Sequence, residues 1–181
     1  MKKTFIILLT LINIIYVNAQ DKDFIKVFND TKKSFITYSM NHPLHSWTGT
    51  SKEVASVILT DKAKKQIQKV AVSIKITSFN SQNANRDSHA MEATEAIRFP
   101  LIKFASTSVQ QDGNMLNVTG KLFFHGVTKQ ISFTAERDDK KDKIEITGGF
   151  VIKMTDFNIQ PPTLMTIPTD DEIIIAFDMF Y

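Results

Sequence analysis

From Ile67 onward, apolar residues fall on alternate positions: Val70, Val72, Ile74 and Ile76 share one face, and Ala71, Ser73, Lys75 and Thr77 the other. That period marks a half-buried antiparallel strand. The same alternation runs through Leu116, Val118, Gly120, Leu122 and Phe124, then through Val127, Ile131 and Phe133. It returns in Ile144, Ile146, Phe150 and Ile152, and again in Ile173, Ile175, Phe177 and Met179. Gly126 and the charged run from Arg137 to Lys143 read as hairpin loops between these sets. Earlier segments from Asp23 to Phe28, Phe35 to Met40 and Val54 to Leu59 read as further strands. No repeat and no linker divides the chain, so one domain is expected.

The stretch from Ser78 to Phe104 breaks the pattern. Asp87 reads as an N-cap, Glu92 and Glu95 suit early helical turns, and Pro100 cannot continue a helix, which predicts one from Ser88 to Ile97. The expected class is therefore all-β with one short α-helix. About eight sequential antiparallel strands close into an up-and-down barrel or stack as a two-sheet sandwich. Gly120, Gly148 and Gly149 inside strands permit the tight coiling that closure needs. The interior of an eight-stranded barrel either fills with side chains or holds one small ligand. The sequence leaves that choice open.

The N-terminus combines Lys2-Lys3, an apolar run from Phe5 to Val17 and the small-residue pattern Val17-Asn18-Ala19, so residues 1–19 read as a signal peptide cleaved before Gln20. The run is too short to serve as a bilayer-spanning anchor. Residues 20–181 then form the exported domain, periplasmic or secreted. Of the 22 Lys and Arg residues, Lys2 and Lys3 leave with the leader, so 20 remain against 19 Asp and Glu, a net charge near +1. With no basic stripe interleaved with aromatics, a nucleic acid partner is excluded. There is no cysteine, which removes disulfides, thiolate metal sites, cysteine nucleophiles and a lipid-tethered cysteine. Fourteen Phe against one Trp and three Tyr suit a large apolar interior.

Three separated stretches together resemble the YceI-like family. They are Met40-Asn-His-Pro-Leu-His-Ser-Trp-Thr-Gly49; Ser78-Phe79 through Asn85-Arg86-Asp87-Ser88-His89 to Phe99-Pro100 and Phe104-Ala-Ser106; and Gly120-Lys-Leu122 through His125-Gly126-Val127-Thr128-Lys129, with Asp156-Phe157-Asn158-Ile159 near the end. The family departs from this chain at Asn80, where an aspartate is usual, at Ala90, where a larger apolar residue stands, and at Asn158, often a glycine. The resemblance implies a lipocalin-like barrel in an exported bacterial protein that binds a lipid or polyisoprenoid. It moves the reading toward a hollow interior, lined from the alternating faces by Val72, Ile74, Phe104, Leu122, Phe124, Phe133, Phe150 and Phe177.

The polar candidates stay double-valued. Arg86, Asp87 and His89 either touch a ligand head or lock their own loop, Arg86 through its planar fork of donors. His42, His45, His89 and His125 are all the histidines of the chain, and a metal site needs at least three of them to converge; none is assigned. No nucleophile-elbow sequence accompanies Ser88 or Ser106, so no catalytic residue is assigned and the chain reads as a non-enzyme. The expected partner is a hydrophobic small molecule of isoprenoid or fatty-acid type, with no cofactor and no stable membrane insertion, and with a homodimer compatible. The competing readings are an outer-membrane-type barrel, suggested by the alternating tail that ends on Tyr181, and an interaction module with a filled core.

Overall fold

The computed structural model describes residues 24–61, 66–140, 143–164 and 166–181; the expected signal peptide and its cleavage site lie outside them. Along the chain come β1 (Phe24–Phe28), β2 (Phe35–His42), β3 (His45–Ser51), β4 (Val54–Asp61), β5 (Gln66–Lys75), α1 (Ala84–Ala93), β6 (Leu101–Asp112), β7 (Met115–Phe124), β8 (Val127–Lys140), β9 (Lys143–Lys153), β10 (Thr163–Leu164), β11 (Ile167–Pro168) and β12 (Glu172–Phe180). β4 through β9 and then β12 form an antiparallel meander. The β2–β3 hairpin pairs on the far side of β12, and β1 pairs with β4. The sheet thus rolls until β4 faces β12 and β2 across a seam.

Among the described residues no ladder crosses that seam, and individual hydrogen bonds bridge it instead. Asp30 N donates to Phe180 O at 2.7 Å and Asn29 N to Ser56 O at 3.1 Å. The Asn29 amide also donates to Val54 O at 3.0 Å and accepts from Ser56 N at 2.7 Å. Nearer the helix, Thr50 and Asn80 exchange two backbone bonds of 3.0 Å. The curled antiparallel sheet with one helix is the expected class, amended in two details: the sheet has ten strands, and β2 joins it through β12 rather than through its sequence neighbours.

Inward alternation survives the curvature because bulges reset it. Between β6 and β7 the register shifts at Ser106/Ser108, so both Phe104 and Val109 face inward although their spacing is odd. The β5–β6 ladder ends at Ala71, and Ser106 Oγ takes over by accepting from Val70 N at 2.8 Å. A second shift at Leu59/Thr60 turns Ile67 inward with Val70. Sequence alternation did not reveal β6, because the bulge breaks its period, nor β3, whose His-Ser-Trp-Thr-Gly-Thr-Ser run is mostly polar. Residues Arg137 to Lys140, expected in a loop, instead extend β8, where Arg137 packs inward and binds Asp139 with contacts of 2.8 and 3.2 Å, closing the end away from the helix.

The helix begins four residues before its expected start. Asn83 is the N-cap, accepting from Arg86 N at 3.1 Å, and the helix stops at Ala93. Asp87, expected to cap, lies in the first turn and accepts from Ser81 N at 3.0 Å. Ser81 is buried, so its amide needs a partner, and Asp87 supplies it. The end bearing α1 is the mouth of the barrel.

Two interior glycines make room for rings. A Cβ at Gly120 would collide with the Phe104 ring, and one at Gly148 would lie 2.7 Å from Phe177 Cζ. Replacing Gly120 by Ala should therefore displace Phe104 and cost ~1–3 kcal/mol by overpacking; chemical denaturation measures the loss, and an unchanged midpoint would refute the contact.

Tyr181 crosses the seam from inside. Ser56 Oγ donates to Ala71 O at 3.1 Å, so it accepts from the Tyr181 hydroxyl at 2.6 Å. Burial pushes the Tyr181 phenol up to about 12, with the Ser56 hydrogen bond opposing in part. The folded state holds this proton more tightly than the unfolded chain. Its contribution is full below the ordinary phenol value of 10.0 and is lost as pH rises toward about 12. Tyr181→Phe should flatten the alkaline limb of a stability-versus-pH curve by up to ~3 kcal/mol, and an identical limb in the variant would contradict the burial argument.

Candidate functional site

The inward faces leave space that their side chains do not fill. A cavity of about 120 Å³ lies in the barrel, its wall almost wholly apolar. Seven of the eight residues expected to line it do so: Val72, Ile74, Phe104, Leu122, Phe133, Phe150 and Phe177. Phe133 is the hub of this interior, with ring centroids 5.5 Å from Phe104, 5.1 Å from Phe150 and 5.7 Å from Phe177. Offset and edge contacts of this kind are favourable beyond their buried area. The hollow and filled readings of the interior are thus both met in part: aromatic rings occupy the middle and a small void remains beside them.

The larger space lies at the mouth. There α1 and the β2–β3 hairpin flank a pocket of about 590 Å³. Phe124, the eighth expected residue, lines this pocket rather than the inner cavity, and packs on Phe157 at 5.5 Å. Phe79, Ile152 and Ile175 line both spaces, so the two adjoin along one apolar wall. Sequence reasoning did not select Tyr38, Met40, Trp47, Met154 or Ile159 for this wall. The signal for Trp47 and Ile159 was present in the Trp-Thr-Gly and Asp-Phe-Asn-Ile motifs. That signal did not say which side chains turn inward.

The polar residues at the mouth are largely committed to one another. Arg86 Nε donates to Ser81 Oγ at 2.9 Å and Nη2 to Ser81 O at 2.7 Å, while its guanidinium lies 5.7 Å from the Trp47 ring. Asp87 holds the amide of the same serine. Arg86 and Asp87 thus lock the loop that leads into α1, and Arg86 also borders the pocket. His89 borders it too, exposed, with Nδ1 3.8 Å from Glu92. The Tyr38 phenol is pushed above its ordinary value, first by burial and then by the nearby Asp87 charge.

The histidines divide. His42 Nδ1 accepts from Leu44 N at 3.2 Å, so Nε2 carries the hydrogen donated to Ile167 O at 3.1 Å. The His42 and His45 rings lie 5.6 Å apart, and His45 lies 5.2 Å from Trp47. These two and His89 border the mouth pocket. His125 stands apart in the β7–β8 turn with Nδ1 2.8 Å from Phe157 O. Among the described residues no three His, Asp or Glu side chains gather as metal ligands would. The chemistry the site offers is partition: a long apolar surface with a few polar groups at its opening.

Comparison with known proteins agrees with this architecture. The family model for the YceI-like domain matches residues 29–180. Protein YceI of Escherichia coli O157:H7 is 33% identical over 146 residues, 75% of this chain and 75% of its own length. The crystal structure of Burkholderia cenocepacia BcnA superposes with a TM-score of 0.75 at 21% identity, over 84% of this chain and 99% of that one. A polyisoprenoid binding domain from Saccharophagus degradans, implicated in plant cell wall breakdown, superposes with a TM-score of 0.69 at 16% identity, over 85% of this chain and 97% of that one. The chain therefore belongs to the YceI-like family.

Proposed function

We propose that the chain is an exported binding protein that holds a long-chain lipid, of polyisoprenoid or fatty-acyl type, in its apolar interior and does not transform it. The observation that carries this reading is the apolar wall that continues from the mouth pocket to the inner cavity through Phe79, Ile152 and Ile175. The ligand class named for the Saccharophagus domain supports it. A void of about 120 Å³ is comparable to a cavity that admits benzene, so it takes one isoprene unit or a short methylene run. The mouth pocket takes most of the chain. Each buried CH₂ contributes about 0.8 kcal/mol, so ten contribute about 8 kcal/mol against association costs of ~4–15 kcal/mol. Affinity then depends mainly on chain length.

The exterior favours a water-facing barrel over a lipid-embedded one. Lys75, Lys103 and Lys121 all project outward and are exposed, the reverse of a membrane barrel's apolar belt.

Trp47 lies in the mouth pocket and is the one tryptophan of the chain, so its emission reports on ligand there. Titration with isoprenoid alcohols and fatty acids of increasing length should shift that emission and raise Tm. Affinity should climb about fourfold per added CH₂ and then level off once the space is full. Absence of any shift across the series would overturn the lipid reading.

Ile152→Trp places bulk where the two spaces meet, and should shorten the chain length at which affinity levels off while costing ~1–3 kcal/mol of stability. An unchanged plateau in that variant would separate the inner cavity from binding. Lipid recovered unaltered in an organic extract, and an intact mass beginning at Gln20 in periplasmic material, are the outcomes expected for a non-catalytic, exported carrier; a chemically converted lipid or a retained Met1 would contradict them.

A further inference from the structure

The mouth is bordered by apolar tips that the fold itself does not use. Leu44, in the turn between β2 and β3, is 60% exposed; Ile97, in the turn after α1, is fully exposed; Ile167 of β11 is also exposed. Leu44 and Ile167 are bonded through their backbones to pocket-lining His42, and Ile97 follows Ala96 of the apolar cluster beneath the mouth. His42 and His45 flank Leu44 and line the mouth, and His42 ties the two loops together through Leu44 N and Ile167 O. On the opposite side Glu92, Ala93 and Thr94 line the pocket, and Ala96, just before Ile97, is buried in the apolar cluster beneath the mouth. Isolated exposed apolar residues are ordinary, whereas three on separate loops around one apolar opening form a contact surface.

Charge narrows what that surface meets. Arg98 is paired with Glu95 at 3.2 Å, and His89 faces Glu92 at 3.8 Å. Asp170, beside mouth-lining Thr169, adds an exposed negative charge. Lys129, at the start of β8, is likewise paired, with Asp156 at 3.8 Å, so the charges around this rim are of mixed sign rather than a field of one sign. Trp47 in the mouth wall is of the residue type that favours the boundary between apolar and aqueous phases.

We propose that this end of the barrel docks reversibly on a bilayer of neutral or zwitterionic lipid, with Leu44, Ile97 and Ile167 entering the acyl boundary. The groove then opens toward the bilayer, and an insoluble chain passes between the two without crossing water. The continuity of the rim with the groove identifies the occupant, because the phase that dissolves the cargo is the one the rim wets. The inference rests on the lipid-holding reading above.

The test uses phosphatidylcholine vesicles, read by co-sedimentation and by quenching of Trp47 with brominated acyl chains. Association should be insensitive to salt. It should fall about tenfold in Leu44→Asp/Ile97→Asp and stay unchanged in Val151→Asp/Ile174→Asp, which alters an exposed apolar pair on the outer sheet face. Single Ile97→Asp, at a fully exposed site, should give a partial loss without touching the fold. Uptake of a fatty acid supplied below its micelle concentration, followed by thermal shift, should be the same in all variants. Docking is overturned if the wild-type protein takes up that soluble acid but ignores vesicles, if rim and outer-face variants lose association alike, or if the rim variants alter only self-association. Failure of the wild type to take up the soluble acid overturns the lipid-holding reading, and docking with it.

Discussion

The structure depends on keeping every strand's apolar face turned inward while the sheet closes on itself. A flat sheet satisfies alternation trivially. A rolled one must absorb the bend, and a single-residue slip would send a whole strand's apolar set to the solvent. Here the bend is absorbed at register shifts in β4–β5 and β6–β7, where Ile67 and Val109 return to the interior face. The polar groups these shifts expose are taken up locally, as Ser106 does for Val70 N. The seam obeys the same requirement, with the Asn29 side chain acting as a surrogate strand edge toward Val54 and Ser56.

Closure fixes how much room remains inside. Phe104, Phe133, Phe150 and Phe177 cluster in the middle, and Gly120 and Gly148 allow two of those rings to lie close against the wall. The result is neither an empty tube nor a solid core. A small inner cavity sits beside the rings, and the greater volume opens under α1. A site of this shape offers chiefly apolar contact along its length, and the polar residues at the opening serve first to hold the opening in place. Ser81 shows this: its amide, hydroxyl and carbonyl are all engaged by Asp87 and Arg86, which fixes the start of α1 over the pocket.

Much of the fold was legible in the sequence, because period-two alternation is a local property and burial on one face enforces it. β5, β7, β9 and β12 were read from alternation alone, with their inward residues correct. β3 and β6 were not, since one is polar along its length and the other changes phase at its bulge. The helix was legible as an interruption ended by Pro100, while its start was displaced by four residues. Asn83 and Asp87 are equally good caps by type, and the buried Ser81 amide, a tertiary feature, assigns Asp87 elsewhere.

The sequence by itself determined the all-β class with one helix, the absence of cysteine, and which strand faces carry the apolar residues, seven of which surround the inner cavity. Only the tertiary structure decided that Phe124 belongs to the mouth, that His125 is separated from the other histidines, and that Tyr38, Met40 and Trp47 form a wall of the larger pocket. The reason is physical. Which face of a strand is apolar follows from neighbours two residues apart, whereas which apolar side chains meet, and how much space they leave, follows from pairings between strands as distant as β2 and β12.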